Sequence, residues 1–261
     1  GSWGEVRLGR QWALGFERFG SIDPWSTGFN DAGIQSVMSV ANAVRPDNMV
    51  MYRSPNLSGF RFNLGYSFQM ALGQGNGAAV ADAAGSGKNN RFTTLGAQYG
   101  AGPLLVMATY DIYKPASTEA IGNPVDAKYL QIGGTYDFKV AKISAAYAIE
   151  EGIYASGPSS LQPRRFALPA TLPTGVTGAQ DASAWQVGVT IPVFSFNLIG
   201  SWAQRDFDAA ALNDGRVYAV GFTYPLSRRT NFYGYYSDAD QKNVTAANDR
   251  KEMAVGIRHS F

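Results

Sequence analysis

Between Gly59 and Met70 the chain alternates without a break. Phe60, Phe62, Leu64, Tyr66, Phe68 and Met70 fall on one side, and Arg61, Asn63, Gly65, Ser67 and Gln69 on the other. A period of two is that of an extended strand, whose successive side chains point to opposite faces. The pattern returns in Tyr129–Phe138, Lys142–Glu150, Arg216–Tyr224 and Glu252–Phe261. In the last of these Met253, Val255, Ile257, His259 and Phe261 oppose Glu252, Ala254, Gly256, Arg258 and Ser260. Such strands run to roughly 9–12 residues, whereas about 5–6 is usual in soluble sheets. Their second face mixes small residues with charges such as Arg61, Lys142, Glu150 and Arg258. A dry sandwich core would not take those charges; a wet lumen would. Twelve strands are predicted, beginning near residues 3, 48, 58, 91, 103, 128, 142, 182, 195, 215, 230 and 250.

The connections carry a second regularity, alternating between short and long. Short ones lie near Pro55, Gly102, Val140, Val193 and Leu226. Long ones span about 13–47, 71–90, 114–126, 153–180, 208–214 and 241–249. Short turns at one end and long loops at the other characterise transmembrane β-barrels, where the short turns face the periplasm. The long segments are rich in Gly, Ala, Asn, Ser and Pro and read as surface loops. No domain boundary interrupts them, so a single domain over residues 1–261 is expected.

Composition supports this picture. The 261 residues include 14 Tyr, 15 Phe and 30 Gly, suited to strands and turns. No apolar run approaches the ~18 residues of a helical span. There is no cysteine, hence no disulfide or Cys-based metal site. One histidine and no spaced carboxylate cluster leave metal binding without support, and no cofactor is expected. A net charge of +2 without a polybasic run gives no reason to expect nucleic-acid binding.

Several stretches resemble the general trimeric porins of Gram-negative bacteria, and the resemblance covers the whole chain. Gly4-Glu5-Val6-Arg7-Leu8-Gly9-Arg10-Gln11 is similar to that family's fifth strand. Residues 13–47 resemble its inward-folded constriction loop. Tyr52-Arg53-Ser54-Pro55, followed by Ser58-Gly59-Phe60, resembles the turn between the sixth and seventh strands, and Val255–Phe261 the terminal strand. The resemblance implies an all-β, antiparallel, transmembrane β-barrel of sixteen strands, about twelve of them present here. The first four would then lie elsewhere in the protein; closure as a smaller barrel is the other possibility. It also implies a homotrimer in the bacterial outer membrane, in contact with lipid and lipopolysaccharide. Passive diffusion of ions and small hydrophilic solutes through the barrel is the implied activity. Phe261 resembles the C-terminal signal read by the barrel-assembly machinery.

A diffusion pore needs a radius and a field, and no catalytic group. In the family, loop acids face arginines on the barrel wall, and opposed charges across a narrow wet gap set ion selectivity. Arg45, seven residues before Tyr52, stands where the family places a wall arginine. Arg7, Arg53 and Arg61 are further candidates, each with the alternative of lying away from the constriction. Glu17, Asp23 and Asp31 are the loop acids. The family's Pro-Glu-Phe-Gly is here Glu17-Arg18-Phe19-Gly20, so Arg18 replaces an acid. A less negative constriction and a preference for anions follow, unless Arg18 turns away or pairs with Glu17 or Asp23. Pro24-Trp25 either pins the loop to the wall or sits at the rim. Tyr224, Phe232 and Phe138 suit aromatic girdles at the membrane interfaces, and Trp202 suits either a girdle or a subunit contact.

Two rivals fare worse. A barrel enzyme needs a base beside a nucleophile, and the one histidine, His259, falls on the apolar face of the last strand. The other is a substrate-specific outer-membrane channel, for a sugar or a particular anion; sugar channels use aromatic residues along the lumen, and here the aromatics mostly share the apolar face.

Overall fold

The computed structural model describes residues 1–70, 90–116, 125–155, 161–169, 171–241 and 250–259. Twelve strands form one sheet in sequence order: β1 Glu5–Gly9, β2 Met49–Arg53, β3 Phe60–Ser67, β4 Arg91–Ala101, β5 Leu104–Lys114, β6 Ala127–Asp137, β7 Lys142–Ile153, β8 Gln180–Val193, β9 Phe196–Phe207, β10 Gly215–Pro225, β11 Thr230–Gln241 and β12 Arg250–His259. Every neighbouring pair is antiparallel, as in an up-and-down meander. Among the described residues the outer strands β1 and β12 do not pair with each other. The longest strands, of 11 to 14 residues, are β4–β11. Strands of about 9–11 tilted residues cross a hydrocarbon layer, so this is the length a membrane wall requires.

The sheet is polar inside and apolar outside. The alternation puts Leu64, Ile132, Tyr147, Val187 and Trp202 on the open face, each about half exposed. Thr94, Thr109, Gln131, Ser144 and Gln186 of the opposite face are buried. Lipid makes that arrangement stable, because the outward apolar band meets hydrocarbon instead of water.

The short hairpins close tightly. At the β4–β5 turn Gly102 takes a φ of +55°, the left-handed region that favours glycine. Around the short-turn end of the sheet lie Phe60, Tyr99, Tyr136, Phe138, Phe196 and Tyr224. They pack in pairs with ring centroids 4.5–4.9 Å apart. Phe222 and Phe232, 5.8 Å apart, continue the band. Aromatic rings concentrated at one level of a membrane wall form an interfacial girdle. Phe261 lies outside the described residues.

Candidate functional site: the loop inside the sheet

Residues 10–48 leave β1 and run across the polar face. They begin with a short helix α1, Leu14–Phe19, and continue through 3₁₀ turns at Asn30–Ala32 and Ile34–Ser36. The segment touches strands from β2 to β12, which requires the sheet to curl around it. Close approach is possible because the wall is small beneath it. A Cβ at Gly133 would come within 2.6 Å of Ile22, and one at Gly188 within 2.6 Å of Pro24. A side chain at either position would crowd the seated loop, and at Gly133 the Ala145 carbonyl, 2.8 Å from that Cβ, would have to shift as well.

Three sets of contacts fix the loop. At its base, the Leu14 N–H donates to Thr94 Oγ1 at 3.1 Å, and Ala13, Leu14, Val40 and Val44 join a buried cluster with Phe92, Tyr113 and Tyr129. In its middle, Glu150 accepts from the Ser39 N–H at 2.7 Å and from the Ser39 hydroxyl. Arg205 pairs with Glu150 at 2.8 Å and donates to the Val37 carbonyl at 2.7 Å. This ion pair is fully buried. Removing one partner of such a pair costs about 3–5 kcal/mol, because the other charge is left buried alone. At its tip, Trp25 Nε1 donates to Ser201 Oγ at 2.7 Å. Phe29 lies edge-on to Tyr233 and Tyr235 and beneath the Arg258 guanidinium, 4.5 Å from the ring centroid. Asn30 Nδ2 donates to Glu252.

A cavity of about 370 Å³ with a largely polar lining opens beside α1, bordered by Glu5, Arg18, Arg53, Arg61 and Asn63 among others. Glu17 is held in a two-pronged ion pair by Arg53, with Nη1 at 2.8 Å. Arg7 pairs with Glu5 at 3.0 Å. Arg18 donates to Gln98 Oε1 at 3.0 Å and Asn63 Oδ1 at 2.9 Å. Among the described residues it makes no carboxylate ion pair. Burial pushes the Arg18 guanidinium down from its ordinary pKa; Glu17 opposes this, and Arg53, Arg61 and Arg7 add to it. An arginine stays charged in any case, so the cavity holds a crowded positive field.

A family model described as Gram-negative porin matches residues 1–260. The chain belongs to the Gram-negative porin family. An outer membrane porin protein of Bordetella pertussis is 38% identical over 281 residues, covering 100% of this chain and 69% of that protein. Among solved structures, an anion-selective porin from Comamonas acidovorans superposes with a TM-score of 0.71 at 22% identity, covering 100% of this chain and 75% of that one. The in-vitro folded OmpT of Vibrio cholerae, in its trimer form, gives 0.65 at 18% identity over 98% and 77% of the two chains. The likeness to these structures is one of fold. This porin is an outer-membrane protein, and its relatives are channels, not enzymes.

Of the residues singled out in the sequence, Arg7, Arg18, Arg53, Arg61 and Glu17 come together around the cavity or beside it. Arg45 stands apart, stacked on the Trp12 ring at 4.7 Å. Asp23 and Asp31 are buried in the loop. Asp23 caps a turn, accepting from the Thr27 N–H at 2.8 Å and the Trp25 N–H at 3.4 Å. Burial pushes its carboxyl up to about 6, against the pull of those N–H groups. Asp31 faces Arg250 at 3.5 Å and Arg165 at 3.8 Å. Trp25 is fully buried against the wall. His259 Nδ1 meets Thr230 Oγ1 at 2.8 Å on the exposed face. Sequence reasoning missed Arg205 and Ser39. Glu150 and Arg258 were visible as charges on the polar face, but nothing local marks their loop partners.

Proposed function

We propose that this porin conducts small hydrophilic solutes and ions passively, with a weak preference for anions set at the cavity beside α1. The observation that supports this most strongly is the placement of Arg18. It stands in the cavity on two amide oxygens, so its charge is not cancelled by a carboxylate within ion-pair distance. Four guanidinium groups, of Arg7, Arg18, Arg53 and Arg61, face two carboxylates, of Glu5 and Glu17. Two net positive charges at a narrow wet passage concentrate anions and repel cations. The solved porin from Comamonas acidovorans, similar in fold, is described as anion-selective.

In this reading residues 1–261 are one barrel domain, with 13–47 as its constriction loop. No step is catalytic. Unpaired backbone at β1 and β12 is not tolerated in hydrocarbon. The chain spans 69% of its Bordetella relative, and further strands of the whole protein close the barrel. The assembly is a homotrimer in contact with lipid and lipopolysaccharide, delivered by the barrel-assembly machinery through the strand ending in Phe261.

The test is the reversal potential of full-length porin and its Arg18→Glu variant in planar bilayers under a potassium chloride gradient. The substitution changes the local charge by two units. The reversal potential is expected to move toward the cation side. An unchanged value in a conducting variant contradicts the role of Arg18.

A further inference from the structure

The external connection between β7 and β8 does not stay outside the sheet. Its residues 161–168 turn inward and lie along the constriction loop. The Arg164 N–H donates to the Gln35 carbonyl at 2.8 Å, and the Arg165 and Phe166 N–H groups to the Ser36 carbonyl at 3.3 and 3.4 Å. Asn42 Nδ2 donates back to the Gln162 carbonyl at 2.8 Å. The same stretch is tied to the wall. Tyr129 donates its hydroxyl proton to the Leu161 carbonyl at 3.2 Å. The buried Phe166 ring covers Gly215, where a Cβ would come within 2.2 Å of it. Backbone bonds on one side and a ring seated on a glycine on the other define a docked element.

This element carries charge to the outer side of the constriction. Arg165 and Arg250 converge on the buried Asp31, and Arg250 also lies 3.7 Å from Glu252. Those two cations and two anions balance. Arg164, exposed to solvent, directly precedes Arg165 in the chain, and among the described residues it makes no ion pair.

We propose that Arg164 is a second selectivity-determining residue, which gathers small inorganic anions on the external side before they reach the cavity at Arg18. The proposal rests on the channel reading above. Its signature differs from that of Arg18, because a charge at one mouth acts on entry from one side. It also acts over a distance set by salt: about 30 Å at 0.01 M and about 3 Å at 1 M.

The experiment is single-channel recording of the full-length porin inserted in one orientation, in 20 mM and 1 M potassium chloride. Three proteins are compared: the parent, Arg164→Glu and Arg164→Lys. At 20 mM the Glu variant is expected to lose about half of the anion current entering from the external side, a change of local potential by a fraction of kT. It thereby acquires a rectification that the Lys variant lacks and that vanishes at 1 M. A conducting Glu variant with the parent's rectification at low salt overturns the proposal. A parent that does not conduct overturns the channel reading instead. Gly215→Val evicts the Phe166 ring, and in that background the difference between Arg164 and Arg164→Glu is expected to shrink. An undiminished difference overturns the claim that Arg164 acts from the docked position.

Discussion

The two halves of the inward segment 10–48 meet the wall through opposite chemistry. Residues 31–41 are buried throughout, and their charges are matched: Glu150 with Arg205, and Asp31 with Arg165 and Arg250. The α1 half is partly exposed, and its charges are only partly matched. Arg18, Arg53 and Arg61 share a polar cavity in which Glu17 is taken by Arg53. A buried charge must be paired or it unseats the fold. A charge facing water need not be, and is therefore available to act on a passing ion. In the proposed channel, the difference separates the part of the loop that fixes the pore's shape from the part that fixes its field.

The contrast is broken most severely at Glu150. Glu150→Ala leaves Arg205 buried and the Ser39 groups without their acceptor, at a cost of about 3–5 kcal/mol. The loop is expected to detach from the wall, with larger and noisier single-channel conductance and little change in reversal potential. Next in size is a charge on the other face of the sheet. Val220, 58% exposed on the apolar side of β10, is expected to cost about 2–4 kcal/mol of folding stability as Val220→Arg in lipid vesicles. A neutral result would mean that this face does not meet hydrocarbon.

A third prediction concerns pH. The Asp23 carboxyl, raised to about 6 from 3.8, favours its protonated form in the folded loop. Between about pH 4 and 6 the folded state therefore holds more proton than the unfolded one, and stability falls as pH rises through that window. Asp23→Asn is expected to remove this slope from thermal unfolding in detergent. The smallest effect is assigned to Arg45. Arg45→Ala should shift the reversal potential less than Arg18→Glu does, since Arg45 lies on Trp12, apart from the cavity.

The wall was legible in the sequence. Strand starts predicted from alternation near 58, 142, 215 and 250 compare with 60, 142, 215 and 250 in the structure. Strand periodicity is local and repeats in every element, so it needs no knowledge of distant contacts. The loop's seating was not legible. Ser39 meets Glu150 across 111 positions, and Trp25 meets Ser201 across 176. Nothing in the sequence marks the wall glycines under the loop, Gly133 and Gly188. Arg18 was found because the Glu-Arg-Phe-Gly stretch departs from the family's pattern. The inward fold of 161–168 left no trace, since its hydrogen bonds to the loop use its backbone groups and the Phe166 ring meets Gly215 across 49 positions.

Under the proposed function, Arg18 and Arg61, which make no ion pair among the described residues, give this porin an anion-favouring field. The most direct measurement is the reversal potential of single channels of the full-length protein under a salt gradient. Discrete ohmic steps that reverse on the anion side are expected, with the offset shrinking as salt rises and screening sets in. Reversal on the cation side, or at zero, would contradict it.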